Sequence, residues 1–292
     1  MKLLNLGCGK RIHTDWTNID FVSTLDGVIA HNLTQGIPFP DNSFDVVYHS
    51  HVLEHFSQDT AKFFIAECYR VLRPQGVLRI AIPDLEQIAK TYLHALDGAN
   101  AGAEDWTANY DWILLEMYDQ TVRNCPGGEM VKYFQRETVP NEQFVLERCG
   151  VEAKKMIQGG YHHWEKTVST ESVDSKNPVE QLVKSIYRTI RYPTTYGRNV
   201  LNNGRESILK VLLGSEYDNL QIGRFRQRGE IHQWMYDRYS LRVILESNGF
   251  SDVVPRLASE SYIPDWKSFN LDTEPDGSTY KPDSLYMEAI KQ

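Results

Sequence analysis

The chain opens on a short apolar strand that runs straight into a two-glycine turn, Met1-Lys-Leu-Leu-Asn-Leu-Gly-Cys-Gly9, and this limits what it can fold into. Residues 3–6 fit a buried parallel strand, and Gly7 and Gly9 let the backbone bend sharply and approach a ligand closely. Open α/β sheets bind nucleotides in this way, at the carboxyl end of their first strand. A second short strand, Thr17-Asn-Ile-Asp20, ends on a carboxylate that can accept hydrogen bonds from both hydroxyls of a ribose. A dinucleotide fingerprint requires a third glycine, where this chain has Ile12, and an acid about 20 residues further on. Asp20 comes much sooner than that, so a nicotinamide dinucleotide is disfavoured.

The strand pattern continues. Residues 28–33 read as a third strand, Pro38–Ser43 as a turn, Phe44–Ser50 as the fourth strand and His51–Phe56 as the beginning of a helix. Phe63, Phe64, Ala66, Cys68, Val71 and Leu72 supply the packed side of that helix. Arg73–Gly76 is a turn, and Val77–Pro83 is the fifth strand. Strands alternating with helical segments indicate a doubly wound parallel sheet. The alternation stops after Leu85. Helices are expected over 105–122, 141–157, 179–190 and 201–214, too much chain for a loop. A helix over 241–248, a strand over 253–259 and a strand over 284–290 close the sequence. This divides the chain into an α/β core (1–85 and 231–292) and a helical insertion or substrate cap (86–230).

Leu4-Asn-Leu-Gly-Cys-Gly9, Pro38-Phe-Pro-Asp-Asn-Ser-Phe-Asp45, Val52-Leu-Glu-His55 and Arg70-Val-Leu-Arg-Pro-Gln-Gly76 together resemble class I S-adenosylmethionine-dependent methyltransferases. The nearest group is the type 11 methyltransferase domain, found in glycan and secondary-metabolite pathways. The resemblance is dense over 1–90 and returns at 230–292. It implies a Rossmann-like seven-stranded sheet with the last strand antiparallel, S-adenosyl-L-methionine as cofactor, and a substrate cap inserted between strands five and six. Residue by residue, it places Asn5, Gly7, Cys8 and Gly9 beneath the methionine part of the cofactor and Asp20 on the ribose. Asn32 and Leu33 would meet the adenine, and His49 and Ser50 would border the sulfonium. The family usually has Asp where this chain has Asn32, but an amide oxygen still accepts from the adenine amino group. The family's usual helix before the first strand has no counterpart here, so the insertion is expected to cover the cofactor.

A hydroxyl acceptor needs a general base, and the residues after the fourth and fifth strands face the cleft. His51 is the first candidate, then Asp84, with His232 reaching in from the exit of the insertion. Glu54 reads as a cap and His55 as a structural residue. His162 and His163 are adjacent without a third ligand, and the cysteines (8, 68, 125 and 149) lack paired metal spacing, so no metal is expected. Cys8 beside the turn is not expected to act as a nucleophile. The block His232–Tyr239 resembles one in glycan-associated members and either lines a sugar site or wedges the insertion onto the core.

A formal charge of −8 argues against nucleic-acid binding. The absence of a long apolar run or an apolar leader points to a cytoplasmic protein without a membrane span. Locally, 184–228 carries nine Lys or Arg against Glu206, Glu216 and Asp218. This is either a solvated face or a clamp for a phosphate or anionic glycan. The combined expectation is O-methylation of a small, sugar-containing or phosphorylated acceptor. The alternative is a non-catalytic cofactor-binding sensor or assembly protein.

Overall fold

β1 (Leu3–Leu6) is buried at every position, as a strand with both faces covered must be. A computed structural model describes residues 1–23, 25–160, 205, 206 and 208–292. The other strands are β2 (Trp16–Asp20), β3 (Val28–Ala30), β4 (Phe44–Ser50), β5 (Leu72–Pro83), β6 (Phe250–Arg256) and β7 (Ser284–Lys291). They form one seven-stranded sheet in the order β3-β2-β1-β4-β5-β7-β6, with β7 antiparallel to both neighbours. This is the Rossmann-like arrangement expected from the sequence. The order reverses between β1 and β4. Leu6 lies level with Ile19 on one side and His49 on the other, so three strand ends open at one switch point.

One sheet face packs on helices. Leu4, Leu6, Val47, Leu78, Ile80, Ile82 and Met287 meet Phe64, Ile65 and Cys68 of α1 (Gln58–Val71) and residues Leu241 and Leu245 near the chain's end. The helix expected to begin at His51 instead begins at Gln58, because Leu53–His55 is a 3₁₀ turn and Ser57 caps Thr60 N–H. The opposite face, built from Leu3, Trp16, Val46 and Tyr48, is covered by the β6–β7 connection through Ile263, Trp266 and Leu271. A buried ionic network centred on Arg79, Asp272 and Glu288 lies on this face.

After β5 come α2 (Leu85–Asn100), α3 (Glu104–Val122), α4 (Gly128–Phe134) and α5 (Glu142–Lys155). Trp112, Tyr133, Phe134 and Val145 hold one cluster among them, and Ile88, Ala95 and Ile113 hold another. The chain divides into two compact units, 1–159 with 229–292, and 160–228. The helices α2–α5 therefore stand with the sheet, and the stretch read as one insertion divides near residue 160. The helix expected over 179–190, and His162 and His163, lie outside the described residues. In the second unit, α6 (Glu216–Arg226) carries Arg224, whose Nη1 is 2.6 Å from Glu206 Oε2. An arginine expected in the anion clamp is thus matched by an acid of its own unit. The last helix, α7 (Arg238–Ser247), begins with Asp237 and Ser240 capping each other's backbone amides. Among the described residues, no helix is long and apolar enough to cross a membrane.

Candidate cofactor and catalytic site

The turn after β1 is built from positive-φ glycines, Gly7 at φ 65° and Gly9 at φ 52°. A Cβ on Gly7 would lie 2.3 Å from Val52 Cγ2, so β1 and the loop after β4 touch through this missing side chain. Nothing lies within 4 Å of a Cβ on Gly9, which leaves that backbone open to a ligand. Gly9 N–H donates to Asp20 Oδ2 at 2.7 Å, and this ties the turn to the end of β2. Asp20 keeps a second oxygen for ribose hydroxyls. Gly7→Ala combines a left-handed backbone with a side-chain clash, an expected loss of roughly 2–4 kcal/mol. Urea unfolding should show that loss, together with weakened S-adenosylhomocysteine binding in calorimetry. An unchanged midpoint would contradict this reading of the turn.

Asn5 makes its hydrogen bonds within the chain. It is buried, and its Nδ2 donates to Arg11 O (2.9 Å) and Asn18 Oδ1 (3.0 Å), so it braces the turn from behind. Burial, with the Asp20 charge, pushes the Cys8 thiol up to about 11, which leaves it protonated and a poor nucleophile. Asn32 Oδ1 accepts from Thr34 N–H at 3.0 Å and Thr34 Oγ1 at 2.8 Å, capping the 3₁₀ turn Leu33–Gln35. The oxygen assigned to the adenine amino group is thus already engaged, and the amide nitrogen is what Asn32 presents instead. Leu33 turns its side chain into the core. His49 is fully buried edge-on against Phe64, with neither ring nitrogen hydrogen-bonded, so it borders no open cleft. Burial lowers its pKa to about 4, so the ring is neutral. Ser50 remains half-buried at the strand end.

His51 follows directly, at φ 54°, with its N–H on Ala81 O (2.9 Å). A non-glycine residue held there points to a constrained position. Its Nδ1 lies 3.2 Å from Glu54 Oε1, and its Nε2 is 2.9 Å from Ser284 Oγ on β7. Burial alone would raise the Glu54 carboxyl, but His51, His55 and His232 outweigh it and hold the group well below the usual carboxylate range. His55 Nδ1 lies 3.2 Å from Ile231 O, and its ring stacks edge-on with His232 at 4.9 Å. His232 is therefore brought to the β4 exit, as expected. Glu54 is the residue sequence reasoning missed, because the 3₁₀ turn carries it inward instead of leaving it at a helix start. Asp84 doubles as a helix cap, and burial raises its carboxyl. Its Oδ1 caps α2 by accepting from Glu86 N–H (3.0 Å) and Gln87 N–H (3.3 Å).

The lip of the site comes from the β6–β7 connection and α5. The Arg11 guanidinium sits 3.6 Å over the Tyr280 ring and donates to Asn270 O at 3.0 Å. Tyr280 in turn donates to Glu152 Oε1 at 2.7 Å.

Residues 11–80 match the methyltransferase domain family. The match takes in Asp20, Asn32 and His51–His55 and starts just after the glycine turn. A probable S-adenosylmethionine-dependent methyltransferase from Mycolicibacterium smegmatis is 45% identical over 56 residues, 19% of this chain and 21% of that protein. The chain thus spans about a fifth of the length of this curated relative. Among solved structures, a SAM-dependent methyltransferase from Archaeoglobus fulgidus is 11% identical, with coverage of 99% of this chain and 86% of that one and a TM-score of 0.37. A Thermotoga maritima SAM-dependent methyltransferase is 10% identical, covering 100% and 82%, with a TM-score of 0.35. Likenesses of that degree carry no argument about activity.

Proposed function

We propose that the protein is an S-adenosylmethionine-dependent methyltransferase acting on the hydroxyl of a small acceptor, with a sugar or glycan precursor as the favoured class. The observation that carries the reading is the Gly9–Asp20 hydrogen bond at the β1/β4 switch point, with His51 at the adjoining strand end. A backbone open at Gly9 and a carboxylate with a spare oxygen suit an amino-acid-linked nucleoside. The cofactor supplies a methyl group on a positively charged sulfur, already activated for in-line displacement.

What remains for the protein is positioning, exclusion of water and removal of one proton. Gly7 and Gly9 present backbone to the methionine portion, and Asp20 orients the ribose. With its proton on Nδ1, on the side of the Glu54 carboxylate, His51 keeps the Nε2 lone pair for the proton of the acceptor hydroxyl, and that hydroxyl replaces Ser284 Oγ as its partner. The helices α2–α5 after β5 are proposed to help choose the acceptor.

Production of S-adenosylhomocysteine against a panel of sugar, nucleotide-sugar and phenolic acceptors tests the reading. Asp20→Asn should weaken cofactor binding by roughly 10–100-fold, the value of charge-assisted hydrogen bonds. Cofactor binding without turnover on any acceptor would favour a sensor or assembly role.

A further inference from the structure

We propose that Glu54, His55 and His232 form a binding site for a divalent transition-metal ion. Their ligand atoms all lie within 4.8 Å of one another, although the residues come from two distant parts of the chain. Donors of a tetrahedral ion bound at about 2.0–2.1 Å lie about 3.4 Å apart, so side-chain shifts that shorten the longest separation by about 1.4 Å or less close the set. Two imidazoles and one carboxylate suit zinc, iron, cobalt or manganese better than magnesium or calcium, which prefer oxygen ligands throughout. This replaces the sequence expectation of no metal ligands.

The second observation is the Glu54 carboxylate. It is 1% exposed, and neither oxygen makes a hydrogen bond of acceptable geometry, the nearest group being His51 Nδ1 at 3.2 Å. A buried carboxylate left in this state is costly, and a cation at the focus of the three side chains offsets the cost.

The surroundings are arranged as metal ligands require. His55 Nδ1 is committed to Ile231 O, which leaves Nε2 to bind, in the way ligating histidines are held by backbone carbonyls. His232 is fixed through its N–H to Gln120 O (3.0 Å), and the next two amides reach Glu54 O at 2.8 and 3.2 Å. Arg123 is the nearest opposing charge, and Glu230 at 3.2 Å and Asp119 at 3.9 Å offset it. With one Glu54 oxygen on the metal, the other still reaches His51, and three protein donors leave at least one position open.

The test uses the full chain, stripped with chelator and titrated with Zn²⁺ and with Co²⁺. One equivalent should bind, Co²⁺ should acquire the visible absorption of a low-coordinate site, and the melting temperature should rise with metal. His55→Gln and His232→Ala should each weaken binding by more than about 100-fold, beyond the loss seen when only a supporting partner is removed. Glu54→Gln separates this reading from a purely structural ion cluster. It should abolish metal binding and with it the rise in melting temperature on adding metal. A purely structural ion cluster would show no metal-dependent rise to lose.

The proposal fails if neither ion binds saturably, if all three variants retain binding, or if Mg²⁺ competes at equal affinity. It does not depend on methyl transfer. Metal binding without S-adenosylhomocysteine binding would overturn only the preceding proposal, and the reverse result only this one.

Discussion

Arg79→Leu is expected to destabilise the fold by about 3–5 kcal/mol, the loss seen when one partner of a buried ion cluster is removed. Arg79 has no solvent exposure and satisfies its guanidinium completely. Nε donates to Asp272 Oδ2 (2.7 Å), and Nη1 to Glu288 Oε1 (2.9 Å) and Glu260 O (2.7 Å). Nη2 reaches Leu257 O (3.1 Å) and Ala258 O (3.2 Å), and the guanidinium carbon lies 4.4 Å over the Trp266 ring. Removing it leaves Asp272 with Tyr48 and Glu288 with Arg256, Ser261 and Tyr262 N–H, and takes a donor from three carbonyls of the β6–β7 connection. Lysine cannot substitute, since one ammonium cannot reproduce this fork of donors. A shift in urea midpoint worth less than about 1 kcal/mol would mean that the network is not what fastens the connection to the sheet.

The same variant should show a distinctive pH dependence. Burial raises the Asp272 carboxyl even with Arg79 and Tyr48 beside it, and loss of Arg79 removes the largest opposing effect. A carboxyl raised in the folded state binds its proton where the unfolded chain, near pKa 3.9, has already released it. Folded protein then carries more protons than unfolded, so stability falls as pH rises through that window. The deficit of Arg79→Leu relative to the parent should therefore shrink on acidification from neutral pH toward pH 5.

Much of this architecture is legible in the chain because local physics and global fold agree there. Leu3–Leu6, Phe44–Ser50 and Ser284–Lys291 carry their burial in their composition, and the glycine turn and Asp20 lie close in sequence. What escaped reading was of two kinds. Asn5, Asn32 and Asp84 each make intrachain hydrogen bonds, to Arg11 O, Thr34 N–H and Glu86 N–H, that their position in the sequence did not announce. The Arg79 network and the Glu54–His232 cluster unite residues well over a hundred positions apart, and no periodicity announces such meetings. His232 was a candidate because it lies at the exit of the insertion. Its partner Glu54 looked like a helix cap until the 3₁₀ turn placed it inside.

His51→Asn is expected to lower turnover by about 10²–10⁴-fold while changing S-adenosylhomocysteine affinity by no more than about threefold. Asparagine is chosen because position 51 has φ 54°, a conformation that it tolerates and alanine does not. The backbone that carries the strand end onto Ala81 O is thereby kept. An amide cannot take the acceptor proton, so the loss should appear in kcat. The environment favours this role over a structural one. Glu54 lies at one ring nitrogen and Ser284 Oγ at the other, which leaves Nε2 replaceable by a substrate hydroxyl. Ser284→Ala removes only that resting partner and should leave kcat within about tenfold of the parent. If His51→Asn and Ser284→Ala lose activity equally, with cofactor affinity falling in parallel, His51 shapes the cleft and the base lies elsewhere. If only His51→Asn loses kcat, the proton goes to His51.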